Sequence, residues 1–194
     1  MRSARIERDT KETKVQVVLN LDGSGRADIH TGIGFFDHML DLFCRHGLLD
    51  LQVKAEGDTH VDFHHLVEDT GIVLGQAVSE ALGGKGGIKR YSTMFTPMDE
   101  SLSMVALDIS GRPFLRYDVK FTAERTGCFD LELIEEFMRA FSVNGGLTLH
   151  IGLINGGNNH HIAESIFKGL GRALDEATIT DKRIEGVLST KGVL

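Results

Sequence analysis

Cysteine is scarce, basic residues are outnumbered by acidic ones, and long apolar runs are missing from this 194-residue chain. The two cysteines, Cys44 and Cys128, stand apart without C-x-x-C spacing, which excludes a disulfide framework and a thiolate metal site. Both read as small buried hydrophobes. A net charge of −7 excludes a general affinity for nucleic acid or an anionic membrane, because each requires a basic field. Any anion must therefore be held by a local cluster. Apolar stretches such as Gly32 to Phe36 fall far short of the roughly 20 residues a spanning helix needs. The opening segment, Met1 to Arg8, carries charge with no apolar segment behind it, so no secretory signal is expected and the expected compartment is cytoplasmic.

Glycine and histidine are abundant by contrast, with 23 and 9 residues, and the histidines fall in a pattern. His64-His65-Leu66-Val67-Glu68 matches His160-His161-Ile162-Ala163-Glu164 at an offset of 96, and the match continues through Leu74-Gly75 with Leu170-Gly171. Upstream, His46 to Val53 aligns with Asn144 to Ile151 at an offset of 98, and Leu21 to Arg26 echoes Leu107 to Arg112 at an offset of 86. The blocks keep their order, so the chain reads as one half repeated.

Each half reads as β-β-α-β-α. Lys14 to Leu21 alternates as a strand and enters a hairpin at Asp22-Gly23-Ser24-Gly25, with Leu102 to Ile109 as its counterpart. Phe36 to Cys44 places Phe36, Met39, Leu40 and Phe43 on one helical face, as Phe137, Met138 and Phe141 do later. Strands at Leu51 to Ala55 and Leu147 to Leu153 lead into long helices, Val61 to Leu82 and His160 to Ala177. Helices on one sheet face leave an apolar stripe uncovered, and the other half's helices can bury it. The expected fold is α+β, two mixed four-stranded sheets enclosing a helix layer, with half-repeats at 1–84 and 85–194 in one compact domain. The Gly83-Gly84-Lys85-Gly86-Gly87 cluster lacks the phosphate-loop pattern and reads as their connector. The last ten residues read as an irregular tail.

On a helix, His64 and Glu68 share one face and His65 lies close to it, so imidazole and carboxylate can hold a common ion. Adjacent histidines diverge by about 100°, so one His-His-x-x-Glu helix can serve two ions. A merely polar helix face explains one copy of the motif far better than two. His38 aligns with Glu136, and both residue types can ligate a metal. His30, His46, His60 and His150 have no ionisable mate and read as structural or surface residues. Imidazole and carboxylate without sulfur suit Mn²⁺, Fe²⁺ or Zn²⁺ better than Ca²⁺ or Mg²⁺.

The stretches Thr31 to Leu40, Asp62-Phe63-His64-His65-x-x-Glu68-Asp69 and Asn159-His160-His161-x-x-Glu164, together with Asp99-Glu100 and Ser110 to Pro113, resemble the imidazoleglycerol-phosphate dehydratases of histidine biosynthesis. The resemblance covers essentially the whole chain, which looks like the monofunctional form without a fused phosphatase. It implies loss of water from imidazole glycerol phosphate to give imidazole acetol phosphate, with two Mn²⁺ ions per active site. It also implies a homo-oligomer of 24 subunits built from trimers, with sites at subunit contacts. The family's metal ligands fall on His38, His64, His65, Glu68, Glu136, His160, His161 and Glu164; some members carry histidine where this chain has Glu136. Its acid/base position falls on Glu12, otherwise an ordinary charged residue opening a strand. Substrate or phosphate positions fall on Arg90, Arg112, Lys168, Ser189 and Lys191, where Arg suits bidentate phosphate oxygens and Lys supplies a point charge. A weakly acidic carbon must lose its proton while hydroxide departs; an ion on a ring nitrogen would favour the imidazolate, whose electrons can expel the hydroxyl, and a carboxylate or histidine must then move the carbon-bound proton. A non-catalytic metal-assembled cage and a metallohydrolase are the competing readings.

Overall fold

The computed structural model describes residues 2–194. The first half contains β1 (Ser3–Asp9), β2 (Thr13–Asn20), β3 (Ala27–His30), α1 (Gly34–His46), β4 (Asp50–Gly57) and α2 (His64–Leu82). The second contains β5 (Tyr91–Met98), β6 (Ser101–Asp108), β7 (Phe114–Asp118), the short β8 (Arg125–Thr126) and β9 (Phe129–Asp130), α3 (Glu132–Gly145), β10 (Thr148–Asn155) and α4 (Asn159–Thr178).

The two sheets have one topology. Strand orders are β1-β2-β4-β3 and β5-β6-β10-β7, each mixed, with the short third strand parallel to its neighbour and the remaining pairs antiparallel. Strand β2 shows why: Val15, Val17 and Leu19 turn inward and are almost fully buried, while Lys14 and the residues between them turn outward or sit at the margin. The inward faces meet a layer of helices in which α2 packs on β1 and β2, and α4 on β5 and β6. Across the halves, α2 packs on α3 and α1 on α4, burying a cluster in which Phe137 lies 5.4 Å from Phe36 and 5.5 Å from Phe167 between ring centroids. The expected α+β sandwich is thus the architecture found.

Four details differ from the sequence reading. Each four-stranded sheet carries one strand more than β-β-α-β-α supplies, because β1 and β5 open the two sheets as edge strands, and the second half adds the short β8–β9 pair. The Asp22 to Gly25 segment is no hairpin: β2 pairs with β4, and β3 joins the far side of β4 in parallel. Asp50 holds this crossover by accepting from Ser24 N (2.9 Å), Arg26 N (3.2 Å) and Arg26 Nη2 (2.6 Å). Finally, register relates the early strands at an offset of 88 rather than 86, since Asn20 faces Asp50 where Asp108 faces Thr148. Leu19 therefore corresponds to Leu107. Helix α2 also starts at His64 rather than Val61, which is exposed.

Cys44 is buried, and burial followed by the charge of Asp41 pushes its thiol up to about 12. Cys128 is exposed in the β8–β9 turn, correcting the expectation that both are buried. The tail is irregular but docked: Gly87 N donates to Gly186 O (2.7 Å), Asp181 N to Gly87 O (2.8 Å), and Arg90 Nη1 to Leu188 O (2.8 Å). The glycine connector is what receives it.

Candidate active site

Helix α4 is capped by Asn158, whose side chain accepts from His160 N and His161 N at the turn bearing both histidines. One turn on, Glu164 is nearly buried against α1. Its Oε1 receives His38 Nε2 at 2.9 Å and His160 Nε2 at 3.1 Å, while Oε2 receives Lys168 Nζ at 2.6 Å. Phe35 buttresses the His160 ring edge-on at 5.4 Å. Burial acts to raise the Glu164 carboxyl, but hydrogen bonds from Lys168 and His38 and the Lys168 charge outweigh it and hold it at about 2. Two imidazoles and an ionised carboxylate oxygen thus converge within 4.8 Å of one another, a donor set that fits a borderline divalent transition ion.

His161 points its Nδ1 elsewhere, to Glu100 Oε2 at 2.7 Å, with Asp99 Oδ2 at 4.0 Å. His65 Nδ1 lies 2.9 Å from Asp58 Oδ2 and 3.9 Å from Glu12 Oε2. The hydrogen bond to Asp58, only partly opposed by desolvation, raises the basicity of His65; the one to Glu100 does the same for His161. Both effects favour the charged ring until an ion displaces the proton.

Placement in the other half is looser. His64, Glu68 and Glu136 occupy matching positions on α2 and α3, but among the described residues their ligand atoms do not converge. Glu136 Oε2 lies instead 3.9 Å from Arg139 Nε.

Four of the five expected substrate contacts meet in one cleft of about 780 Å³, lined by Arg90, Arg112, Ser189 and Lys191 and joined by Arg183. Arg90 is pinned by Asp108 (2.7 and 3.1 Å) and Arg183 by Asp181, while neither Arg112 nor Lys191 has a carboxylate within 4.0 Å among the described residues. Those two charges are available to an anion. Lys168 lies outside this cleft, on Glu164. Sequence reasoning missed Asp58 and the role of Glu100 beside the histidines, and it missed Arg183 in the cleft.

The family model for Imidazoleglycerol-phosphate dehydratase matches residues 31–174. A dehydratase of that name from Alkaliphilus metalliredigens is 61% identical over 193 residues, covering 100% of this chain and 99% of the relative. One from Thermoanaerobacter pseudethanolicus is 59% identical over 194 residues, covering both chains fully. Among solved structures, Imidazoleglycerol-phosphate Dehydratase from Staphylococcus aureus superposes with a TM-score of 0.84 at 43% identity, covering 92% of this chain and 99% of its own. The enzyme from Pyrococcus furiosus in complex with (S)-C348 gives a TM-score of 0.85 at 36% identity, covering 97% and 100%.

Proposed function

The chain belongs to the imidazoleglycerol-phosphate dehydratase family, hydro-lyases of histidine biosynthesis, and from that premise we propose that it is a Mn²⁺-dependent enzyme converting imidazole glycerol phosphate to imidazole acetol phosphate and water. The observation that carries the metal reading is the convergence of His38, His160 and Glu164 on one point. His64, Glu68 and Glu136 would supply the equivalent set from the other half, and His65 and His161 the remaining ligands, giving two ions per site. When bound, such ions would favour the deprotonated form of the substrate's imidazole, whose ring electrons can push out the neighbouring hydroxyl.

The chain's own groups do the rest. Glu12, with its carboxylate exposed beside His65, takes the proton from the carbon that becomes the ketone. The hydroxyl on the ring-bearing carbon departs and becomes water with the proton that Glu12 gives back, and the resulting enol tautomerises. Arg112, Lys191 and Ser189 hold the phosphate, with Arg90 as the braced wall of the cleft. Lys168 keeps Glu164 ionised within its own chain and completes the set of substrate or phosphate contacts.

A homo-oligomer with sites shared between copies, 24 subunits built from trimers, is part of this reading, and the chain's geometry supports it. Glu100 touches His161 and Asp108 touches Arg90, and these two acidic residues lie at opposite ends of β6. Seven strand steps separate the ends by roughly 23 Å. A glycerol chain cannot bridge that distance, so ring and phosphate are held by different copies. Half-repeats at 1–84 and 85–194 fit the matching sheets. The exposed free thiol of Cys128 suits a reducing cytoplasmic setting.

The test is turnover. Mn²⁺-loaded protein given imidazole glycerol phosphate is expected to form imidazole acetol phosphate without releasing inorganic phosphate. Glu12→Gln should keep its metal and lose about 10²- to 10⁴-fold in kcat. Clean metal-loaded protein with no product would sink the reading, and phosphate release would favour a hydrolase.

A further inference from the structure

Four carboxylates outside the proposed ligand set lie within 4.0 Å of two of its histidines, Asp58 and Glu12 beside His65 and Glu100 and Asp99 beside His161, and they are not used alike. Register at an offset of 88 makes Glu12 and Glu100 the same position, the residue just before the second strand of each half. Yet Glu100 Oε2 sits 2.7 Å from His161 Nδ1, whereas Glu12 Oε2 stands 3.9 Å from His65 Nδ1, beyond hydrogen-bond distance. In the first half the bond is made by Asp58 Oδ2 at 2.9 Å, a residue just past the end of β4 with no counterpart in that role.

We propose that Asp58 and Glu100 are positioning residues that hold the Nδ1–H of His65 and His161 and so present Nε2 as the ligating atom, and that Asp58 frees Glu12 from the duty its counterpart Glu100 performs. The inference rests on the metal-dependent reading above. An ionised carboxylate only accepts, so each Nδ1 must carry the hydrogen and each neutral ring keeps its lone pair on Nε2.

Both carboxylates are themselves held. Glu100 Oε1 accepts from Asn158 N at 2.9 Å and Ser101 Oγ at 3.0 Å, which ties it to the cap of the helix that carries His161. Asp58 N donates to Glu12 O at 3.1 Å while its carboxylate holds His65, so one residue fixes both the acid/base turn and the ring. The side chain of Asp58 is 19% exposed and that of Glu12 58%, as expected for a brace beside a group that must reach substrate.

Solid-state ¹⁵N spectra of histidine-labelled, chelator-treated protein in alkaline buffer read the tautomers directly, with signals assigned through His65→Gln and His161→Gln. Both rings are expected as Nδ1–H tautomers. Asp58→Ala and Glu100→Ala should each shift the affected ring toward Nε2–H and weaken Mn²⁺ binding by about ten- to hundredfold. Asp58→Asn and Glu100→Gln should recover part of that loss, since an amide oxygen accepts the same bond. Glu12→Gln should leave tautomers and Mn²⁺ affinity intact while turnover falls. Nε2–H rings in the unaltered protein would overturn the proposal even if a variant failed to fold, and so would alanine variants with undiminished affinity. Tight Mn²⁺ binding without product would instead defeat the dehydratase reading and leave this one to the tautomers.

Discussion

At the residue scale, charge placement decides what each acidic group can do. Lys168 spends its charge on Glu164 Oε2 (2.6 Å), which leaves Oε1 to the two imidazoles. The carboxyl is thereby held at about 2 against an ordinary 4.5. A group whose folded value is depressed contributes stability present above its unfolded value and lost as pH falls through the folded one. Metal-free protein should therefore lose this contribution between about pH 4.5 and pH 2. In Lys168→Met, Glu164 titrates higher and the loss across that window shrinks, which urea midpoints measured at successive pH values will show; matching pH slopes for both proteins would refute it. The sequence alone pairs Lys168 with Glu164 by their spacing of one turn, and that proximity is what the structure contains. It does not disclose the partner of His161, because Glu100 lies 61 positions away. Aligning the halves by register at 88, instead of by the Gly-Arg echo at 86, would have set Glu100 beside Glu12 and exposed its role.

At the element scale, what was legible is what one face of burial writes into the chain. β2 and β6 alternate cleanly because each is central and covered on one side by a helix. β1 and β5 bury one residue each, Ala4 and Thr96, so no period-2 signal marks them. The helix layer is closed by paired glycines. A Cβ on Gly75 of α2 would come within 2.6 Å of Phe141 O and 2.8 Å of Gly145 N on α3, and one on Gly171 of α4 would strike Phe43 O and lie 2.9 Å from Gly47 N at the end of α1. These are the same contacts in both halves, since 75 matches 171 and 43 and 47 match 141 and 145. Backbone atoms cannot swing aside as side chains can, so Gly75→Ala and Gly171→Ala should each destabilise by about 1–3 kcal/mol or more, outweighing alanine's helical advantage of about 1 kcal/mol. Thermal melts of the two variants should fall together. A melt unchanged or raised for either would mean that the helices can part without cost.

At the scale of the whole molecule, the chain has two chemical ends. Arg2 Nη1 donates to Thr178 O (2.5 Å) at the foot of α4, near where Arg90 N meets Ala177 O (2.8 Å) beside the cationic cleft. From there β1 runs seven residues away to the turn carrying Glu12, and β6 begins just after Glu100 and ends at Asp108. Glu12 and His161 thus lie at one end, Arg90 and its neighbours at the other, about 20 Å or more apart along the strands. No closure of a rigid sheet can bring them together, whereas the end of one copy can meet the opposite end of the next. This yields a test that needs no structure. Glu12→Gln and Lys191→Ala homo-oligomers should each be nearly inactive, because every site in either lacks one group. Dissociated together by chelation, mixed in equal amounts and reassembled with Mn²⁺, they should regain about a quarter of wild-type turnover, since that fraction of sites draws an intact Glu12 from one copy and an intact Lys191 from another. Recovery must fail in a mixture of Glu12→Gln with His65→Gln, whose lesions share one end of one chain. Full absence of recovery in the first mixture, with reassembly verified by light scattering, would place ring and phosphate on a single subunit and contradict the reading of two separated ends.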